Sequence, residues 1–426
     1  MKNKLYQIRL FITLIIFIFI ILGIIGIFYP INIFDIQLVP LLQKSIIDFS
    51  IITIIILSVI LIITLFFGRL YCSLICPMGI FQEILGLIFK KDNEYQKNKP
   101  YKYFISAITI GFMIGGSTLL IKYLDPYTLF TSAFTYSIIG LSAIIIIAII
   151  TFFKNRFFCT NICPVGTILG LISKISIFKL YIDKNECLSC SNCERNCPTG
   201  CINSDEEIID NENCIKCLKC IGNCPKDAIK FGIKPKEEVK FNIKRRETII
   251  AISACAIFLS AIKIGFEKLN NTISKFRDVI LPPGSINEER LLDKCLNCNL
   301  CVNACPNKII KKADNEFNAV HIDYNSGEKF CKFNCNECSK VCPSGAIKRI
   351  SLEEKQKTRI AMATINEDKC INCNYCISVC PVNAISKSER GKSIVDASKC
   401  IGCGACVKNC NVNAINIFAV KEQKVL

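Results

Sequence analysis

The sequence predicts an α-helical membrane domain with four spans plus a fifth apolar run, combined with three small α+β modules. Three observations predict this. Uncharged apolar runs of membrane-span length fill the N-terminal 155 residues. Thirty cysteines occur among 426 residues, most of them in runs of one spacing. Finally, 51% of the residues are apolar and only 20% are charged. Two classes fall away at once. A single histidine, His321, cannot supply the histidine pairs of a transmembrane di-haem protein or an array of Cys₂His₂ zinc fingers. No C-x-x-C-H is present for covalent haem.

The first domain is expected at residues 1–175. Leu10–Tyr29, Phe49–Gly68 and Tyr103–Ile121 hold 19 or 20 uncharged residues each, and a fourth run lies within Pro126–Phe153. Each is long enough to cross a hydrocarbon core of about 30 Å as a helix. Basic residues gather on one side: Lys2, Lys4 and Arg9 before the first run, Arg69 to Lys102 after the second, Lys154 to Lys179 after the fourth. The opposite loops hold only Lys44 and Lys122, so the N-terminus and the Gly68–Lys102 loop are expected in the cytoplasm. Tyr29, Tyr71, Tyr101, Tyr103, Tyr123 and Tyr127 sit at run ends, as interface anchors would. A fifth run, within residues 244–268, follows Lys244-Arg245-Arg246 and reads as a further anchor helix. If it spans, everything beyond about Glu267 lies outside the cytoplasm.

Two loops in this domain repeat one another. Arg69-Leu-Tyr-Cys72-Ser-Leu-Ile-Cys76-Pro-Met-Gly79 and Arg156-Phe-Phe-Cys159-Thr-Asn-Ile-Cys163-Pro-Val-Gly166 share R-x-[YF]-C-x-x-I-C-P-x-G at an offset of 87 residues. Four thiolates from two symmetric loops can hold one metal centre, with Arg69 and Arg156 favouring the ionised thiols. Alternatively, each pair cycles between dithiol and disulfide. The spacing leaves both open.

Six runs in the remainder follow C-x₂-C-x₂-C-x₃-C, the one starting at Cys331 with a first gap of three. Three thiolates on one tight loop reach three corners of a cubane, and in bacterial ferredoxins the fourth comes from the paired run. This predicts six [4Fe-4S] clusters in three bacterial 2[4Fe-4S] ferredoxin-like modules. In residues 180–233 the ligand sets are Cys187, Cys190, Cys193 and Cys224, and Cys214, Cys217, Cys220 and Cys197. In residues 281–350 they are Cys295, Cys298, Cys301 and Cys342, and Cys331, Cys335, Cys338 and Cys305. In residues 360–418 they are Cys370, Cys373, Cys376 and Cys410, and Cys400, Cys403, Cys406 and Cys380. Zinc knuckles are paired C-x₂-C motifs and not triplets, and disulfide frameworks belong to small secreted chains. Cys201 takes the place of a small residue in the recurrent C-P-x-x-A-I tail, and Cys255 lies in the fifth apolar run; both read as packing residues. His321, in the insertion between Cys305 and Cys331, reads as a surface residue, and Leu352–Arg359 reads as a solvated hinge. No P-loop, dinucleotide fingerprint or hydrolytic triad is present.

The formal net charge is +17, the balance of a polyanion binder. A [4Fe-4S]²⁺ core with four thiolates carries −2, so six lower the charge to about +5. The basicity therefore belongs to the clusters and the cytoplasmic loops, and no nucleic-acid partner is expected.

Four spans with two C-x₃-C-P loops, followed by a double-cluster module, resemble the NapH family over about residues 1–234. The remainder resembles NapG, the four-cluster partner: Arg245-Arg246 before an apolar run, Leu281-Pro-Pro-Gly-Ser, and the Cys331 run ending Cys-Pro-Ser-Gly-Ala-Ile. Thr248-Ile249 and the gaps of the Cys331 run depart from the NapG pattern. The resemblance is to a NapH–NapG fusion. It implies electron flow from the quinol pool to a redox partner protein such as a terminal reductase or cytochrome, in anaerobic respiration, at the plasma membrane. The N-terminal loops and first module would be cytoplasmic and the four-cluster part outside. Two other readings are a cytoplasmic polyferredoxin relay on a membrane anchor and an assembly or metal-reducing factor, as for the CcoG and NosR proteins.

Overall fold

The computed structural model describes residues 2–25, 36–47, 51–89, 92–96, 98–114, 119–135, 137–233, 279–312, 319–324, 329–388 and 391–426. The chain divides into two units, residues 1–269 and 270–426. The fifth apolar run, Cys255 and the paired arginines lie outside the described residues.

Unit 1 begins with a helical part. Its helices are α1 (Lys2–Ile25), α2 (Leu38–Ile47), α3 (Ile51–Phe67), α4 (Leu70–Leu74), α5 (Pro77–Phe89), α6 (Tyr101–Ile114), α7 (Leu119–Leu124), α8 (Pro126–Phe134), α9 (Ile138–Phe153), α10 (Phe157–Asn161) and α11 (Pro164–Lys174). The 87-residue repeat is carried into structure. It maps the starts of α3, α4 and α5 onto those of α9, α10 and α11. In both copies a one-turn helix carries the first cysteine, and the second cysteine precedes a proline that opens the next helix. Proline suits that first position, because its missing N–H has no intrahelical partner there.

Among the described residues, one helix is long and apolar enough to cross a membrane unaided, Lys4–Ile25 with 22 residues. Ile51–Phe67, Pro77–Phe89 and Gly140–Phe153 are apolar but shorter. At about 1.5 Å per residue, a 17-residue helix such as α3 extends about 26 Å. The apolar side chains on these helices face outward: Phe11 and Ile18 on α1, Ile55 and Ile62 on α3, Ile146 and Phe153 on α9 are all exposed. The fourth expected run is two helices. α8 is buried, with Phe130 at ring-centroid distances of 5.6 Å from Phe17 and 6.1 Å from Phe81. Helix α9 packs back against α8, and Gly140 permits the approach: a Cβ there would lie 2.4 Å from the Ala133 nitrogen.

The tyrosines also depart from expectation. Tyr71 and Tyr127 are buried, and Tyr71 donates to Gln37 while accepting from the Leu38 N–H. Tyr103 donates to Glu212. Among the described residues, only Tyr101 and Tyr123 keep the exposure expected of interface anchors, and Tyr29 lies outside them. The reason is local: a phenol at a helix end satisfies a buried polar neighbour as readily as a lipid head group.

The module of unit 1 has two antiparallel pairs, β1 (Lys179–Ile182) with β4 (Ile229–Gly232), and β2 (Ile202–Asn203) with β3 (Ile208–Ile209). In unit 2, β5 (Ile310–Lys311) pairs with β6 (His321–Ile322), β7 (Thr358–Ile365) with β10 (Ile415–Val425), and β8 (Ile385–Lys387) with β9 (Ser393–Val395). The recurrent alanine is explained by these hairpins. Ala228, Ala384 and Ala414 each accept a main-chain bond from the segment after the partner strand, with side chains no more than 2% exposed. Strand β10 runs past the expected module end at 418, and Gln423 bonds to Gly284, Leu281 and Pro282 at the start of the preceding module.

The segment expected to be a solvated hinge is ordered. Leu352–Lys357 is a helix capped by Ser351, and it runs into β7. Lys355 is only 2% exposed and donates to the carbonyls of Lys332 and Phe333. A polar composition concealed one lysine whose ammonium group caps the loop at Lys332 and Phe333. Replacing Lys355 with alanine removes the donor from two part-buried carbonyls and should cost about 1–3 kcal/mol. Anaerobic denaturation followed by cluster absorbance measures this; an unchanged midpoint would restore the hinge reading.

Candidate metal centres

The backbone of the cysteine runs shows why the spacing recurs. In five of the six runs, the residues on either side of the second cysteine have positive φ: Ser189 and Ser191, Lys216 and Leu218, Asn297 and Asn299, Asn372 and Asn374, Gly402 and Gly404. Alternating left-handed residues turn successive N–H groups toward one concavity, which suits an anionic cluster. The Cys331 run, with its longer first gap, lacks this pair. All six runs have a positive-φ residue three positions after the fourth cysteine: Gly200, Asp227, Lys308, Gly345, Asn383 and Asn413. That turn brings main-chain N–H groups onto the fourth sulfur, as Ala384 N–H to Cys380 Sγ at 3.2 Å and Ala414 N–H to Cys410 Sγ at 3.3 Å.

The cysteines group across runs. One cavity is lined by Cys187, Cys190, Cys193 and Cys224. Others are lined by Cys305, Cys331, Cys335 and Cys338, by Cys380, Cys400, Cys403 and Cys406, and by Cys370, Cys373, Cys376 and Cys410. In each, three members come from one run and the fourth from its partner. The other two sets also lie close together. Cys220 is within electrostatic reach of Cys217, Cys214 and Cys197, and Cys301 of Cys298, Cys295 and Cys342. Burial pushes the Cys193 thiol up to about 11 and the Cys406 thiol up to about 12, with neighbouring thiols adding to the rise. Such thiols ionise at neutral pH only when a cation compensates them, which is the chemistry of a metal ligand set.

In unit 2, two of these groups touch. The Cys331 N–H donates to the Cys403 carbonyl at 2.9 Å, and Tyr324, fully buried among Cys331, Cys403, Cys406 and Cys305, donates to the Gly402 carbonyl.

The four C-x₃-C-P cysteines are also brought together. Cys72, Cys76, Cys159 and Cys163 are each no more than 5% exposed. The Gly166 N–H donates to Cys163 Sγ at 3.3 Å. Burial pushes Cys159 to about 11, with Cys72 adding to the rise and Arg156 and Arg69 opposing it. The arginines are exchanged between repeats. Arg69 Nη2 donates to the Cys159 carbonyl at 3.1 Å, and Arg156 Nη1 to the Cys72 carbonyl at 3.4 Å. The motif glycines make room: a Cβ on Gly166 would fall 2.3 Å from the Cys159 carbonyl oxygen and 2.7 Å from Arg69 Nη2.

Beyond the motif, the two copies diverge. Glu83 on α5 pairs with Arg156 at 2.7 Å and with Arg9. The equivalent position on α11 is Gly170, where a Cβ would stand 2.8 Å from the Glu212 carbonyl. That opening lets the first module dock, so that Arg69 reaches the Glu212 carbonyl at 3.1 Å. The Glu212 carboxylate takes Lys102 at 2.7 Å, Lys174 at 3.0 Å and Tyr103. Burial alone would raise its pKa, but these partners hold it at about 2. Glu83 and Glu212 were not singled out from sequence, and Arg9 and Lys102 entered only as loop charges. Glu83 had a signal, as a carboxylate within an apolar helix.

Models of a 4Fe-4S binding domain match residues 49–93 and 136–182, the two copies of the 87-residue repeat, and residues 207–230. Models of a 4Fe-4S dicluster domain match residues 294–346, 330–384 and 363–417. The chain carries 4Fe-4S binding and dicluster domains and is homologous to the NapH type of ferredoxin protein. It is 24% identical over 137 residues to the ferredoxin-type protein NapH of Escherichia coli, covering 30% of this chain and 47% of that one. It is 26% identical over 158 residues to the regulatory protein NosR of Pseudomonas aeruginosa, covering 34% and 22% respectively. An uncharacterized protein of Methanocaldococcus jannaschii is 29% identical over 177 residues, covering 39% and 66%. The chain thus spans between 22% and 66% of the length of these relatives.

Cys201 lies beside a ligand group without belonging to any expected set. Its Sγ is 3.5 Å from Cys197 Sγ, and it also hydrogen-bonds with Cys214. Hydrogen bonds to cluster sulfurs tune reduction potential. Cys201→Ala should leave the iron content unchanged and shift the potential of one centre to a more negative value, read by potentiometric titration. Loss of about four irons would instead make Cys201 a ligand.

Proposed function

We propose that the chain is a membrane-bound multi-cluster protein that passes electrons from quinol to a redox partner protein. The observation that carries this reading is the grouping of cysteines across runs. Four cavities are each lined by three cysteines of one run and the fourth of its partner.

On this reading the 24 module cysteines hold six [4Fe-4S] clusters in the sets given above. Cys72, Cys76, Cys159 and Cys163 hold a further centre between the helices and the first module. Each cluster, when bound, supplies a one-electron redox centre. The protein's own part is positional. The left-handed loop residues aim N–H groups at the sulfurs. Arg69 and Arg156 hold the two membrane loops together and oppose the charge of four thiolates. Lys102, Lys174 and Glu212 fix the first module against the helices, so that Cys214 and Cys217 stay beside the C-x₃-C-P loops. In unit 2 the Cys331–Cys403 peptide contact joins two ligand groups directly.

The exposed apolar faces of α1, α3 and α9 support four spans, with α6 completing the set and residues 244–268 as a fifth. A charge-free helix with apolar residues all round is suited to lipid contact. The quinol pool, lipid and an external redox partner follow from the NapH likeness, with the N-terminal loops and the first module (residues 180–233) in the cytoplasm and the C-terminal four-cluster part outside.

Two measurements test this. Anaerobically purified protein should contain about 24 irons and as many labile sulfides from the modules, with more from the C-x₃-C-P centre. Fewer than about twelve irons would end the six-cluster reading. A Cys72/Cys159 double substitution to serine should remove one spectroscopic signal and slow reduction by quinol at least about tenfold, while the module clusters remain. For topology, Lys421 is exposed. Lys421→Cys should react with an impermeant thiol reagent in intact cells. Reaction only after lysis would place unit 2 in the cytoplasm and favour the relay reading.

A further inference from the structure

A buried ammonium group lies where two ligand groups of unit 2 meet. Lys355 is 2% exposed, and among the described residues no carboxylate pairs with it. Its Nζ donates to the carbonyls of Lys332 and Phe333 at 2.6 and 3.0 Å, directly after Cys331 in the chain. Taking a charge out of water is costly, and two neutral carbonyls offset only part of that cost. We propose that Lys355 is the shared counter-charge of two centres, the Cys331 set and the Cys400 set, and sets their reduction potentials together. The proposal rests on the cluster reading above and deepens it by naming a potential-determining residue outside the ligand sets.

The geometry puts this charge at a junction. The Cys331 N–H donates to the Cys403 carbonyl at 2.9 Å. In four other runs the first cysteine bonds within its own entry turn: Cys187 to Asp183, Cys214 to Asp210, Cys295 to Leu291 and Cys400 to Asp396. The longer first gap of the Cys331 run thus accompanies a contact turned outward to the next module. Phe330, Cys331 and Phe333 pack there against Ile401, Cys403 and Ala405. Lys355 Nζ lies 5.9 Å from the centroid of the Phe333 ring. Tyr324 seals the same junction. It is 3% exposed, it donates to the Gly402 carbonyl at 3.0 Å, and a Cβ on Gly404 would fall 2.7 Å from its ring. Burial pushes three thiols here up, Cys331 to about 11, and Lys355 opposes the rise in each; Cys331 and Cys338 belong to one set and Cys403 to the other.

The effect on the centres follows from charge. A [4Fe-4S]²⁺ core with four thiolates carries −2, and one-electron reduction makes it −3. A fixed positive charge nearby stabilises the reduced form more than the oxidised form and so raises the potential. One charge facing two centres moves both in the same direction and leaves their difference nearly unchanged. An electron crossing the Cys331–Cys403 contact leaves one core oxidised by one unit and the other reduced by one. No bond breaks and no proton moves.

The test is an anaerobic potentiometric titration of the whole, cluster-loaded chain, read by electron paramagnetic resonance. Lys355→Gln keeps a donor for the carbonyls and removes the charge. Two of the one-electron steps should move to more negative potential by at least about tenfold in equilibrium constant, about 59 mV each, while the others stay in place. Lys355→Arg should keep all the wild-type midpoints. Movement of no step, of one step alone or of every step would overturn the proposal. If Lys355→Gln does not hold its iron, the iron content decides. Loss of about eight irons, with none lost in Lys355→Arg, is expected of a charge that two centres share. Loss of about four is what a cap on the Cys331 loop alone would give, and that or any other loss overturns the proposal. A wild type with fewer than about twelve irons would end the cluster reading, and this proposal with it.

Discussion

Two guanidinium groups, Arg69 and Arg156, are buried to 1% and 0% exposure among four thiols. Removing such charges from water costs several kcal/mol each unless nearby charge and hydrogen bonds compensate. For Arg156 the compensation is Glu83. For Arg69 burial works against the charge, and the Cys72, Cys159 and Cys163 thiolates outweigh it, keeping its pKa above the ordinary arginine value. The thiols face the opposite difficulty, since burial drives Cys76 and Cys163 well above the usual thiol range. Each side needs the other's charge, and a metal centre between the loops would settle both. The exchange of arginines makes this local balance architectural. Neither repeat can place its own first cysteine without the other's side chain, so the helices that carry the loops must close as a pair.

That closure sets where the first module can sit. Because α11 has Gly170 where α5 has Glu83, the pseudo-symmetric pair is open on one side and occupied on the other. The module enters on the open side through the Glu212 main chain. On the occupied side Glu83 pairs with Arg156 and Arg9, and the module's Arg195 and Lys219 come close there too. A duplicated sequence thus meets the same module in two unlike ways, through main chain packed on Gly170 and beside a buried carboxylate at Glu83.

The grouping of cysteines across runs was readable from spacing, because a tight loop has few ways to present three sulfurs to one point. Asn297 and Asn299, or Gly402 and Gly404, are residue types that tolerate left-handed backbone. Lys216 and Leu218 are not, and there the loop imposes the conformation. What spacing could not convey was any contact made between distant segments. The positions of Arg69 and Arg156 in the motif showed that they belong near the thiols, but not that each serves the other's loop. Tyr71 at a run end looked like an interface anchor, yet its hydroxyl meets Gln37, 34 residues away. Lys355 in a charged stretch looked solvated, because composition averages over a segment and cannot single out the one side chain that turns inward.

The cores of the modules show why metal and fold cannot be treated separately. In the first module the buried cluster contains Cys197, Cys201, Cys214 and Cys220 alongside a few isoleucines, Leu180 and Ala228. In the last, Cys376, Cys400 and Cys406 pack with Ala363, Ala384, Ile385 and Ile415. The two-stranded pairs here are too short to be stable alone, and domains of this size seldom bury enough apolar surface to fold unaided. Ligand binding that exists only in the folded chain contributes its free energy to folding. On the proposed reading the cysteines are therefore both cluster ligands and much of the interior. A substitution that removes one ligand should be expected to loosen the hairpins around it, and its electronic and structural consequences will appear together.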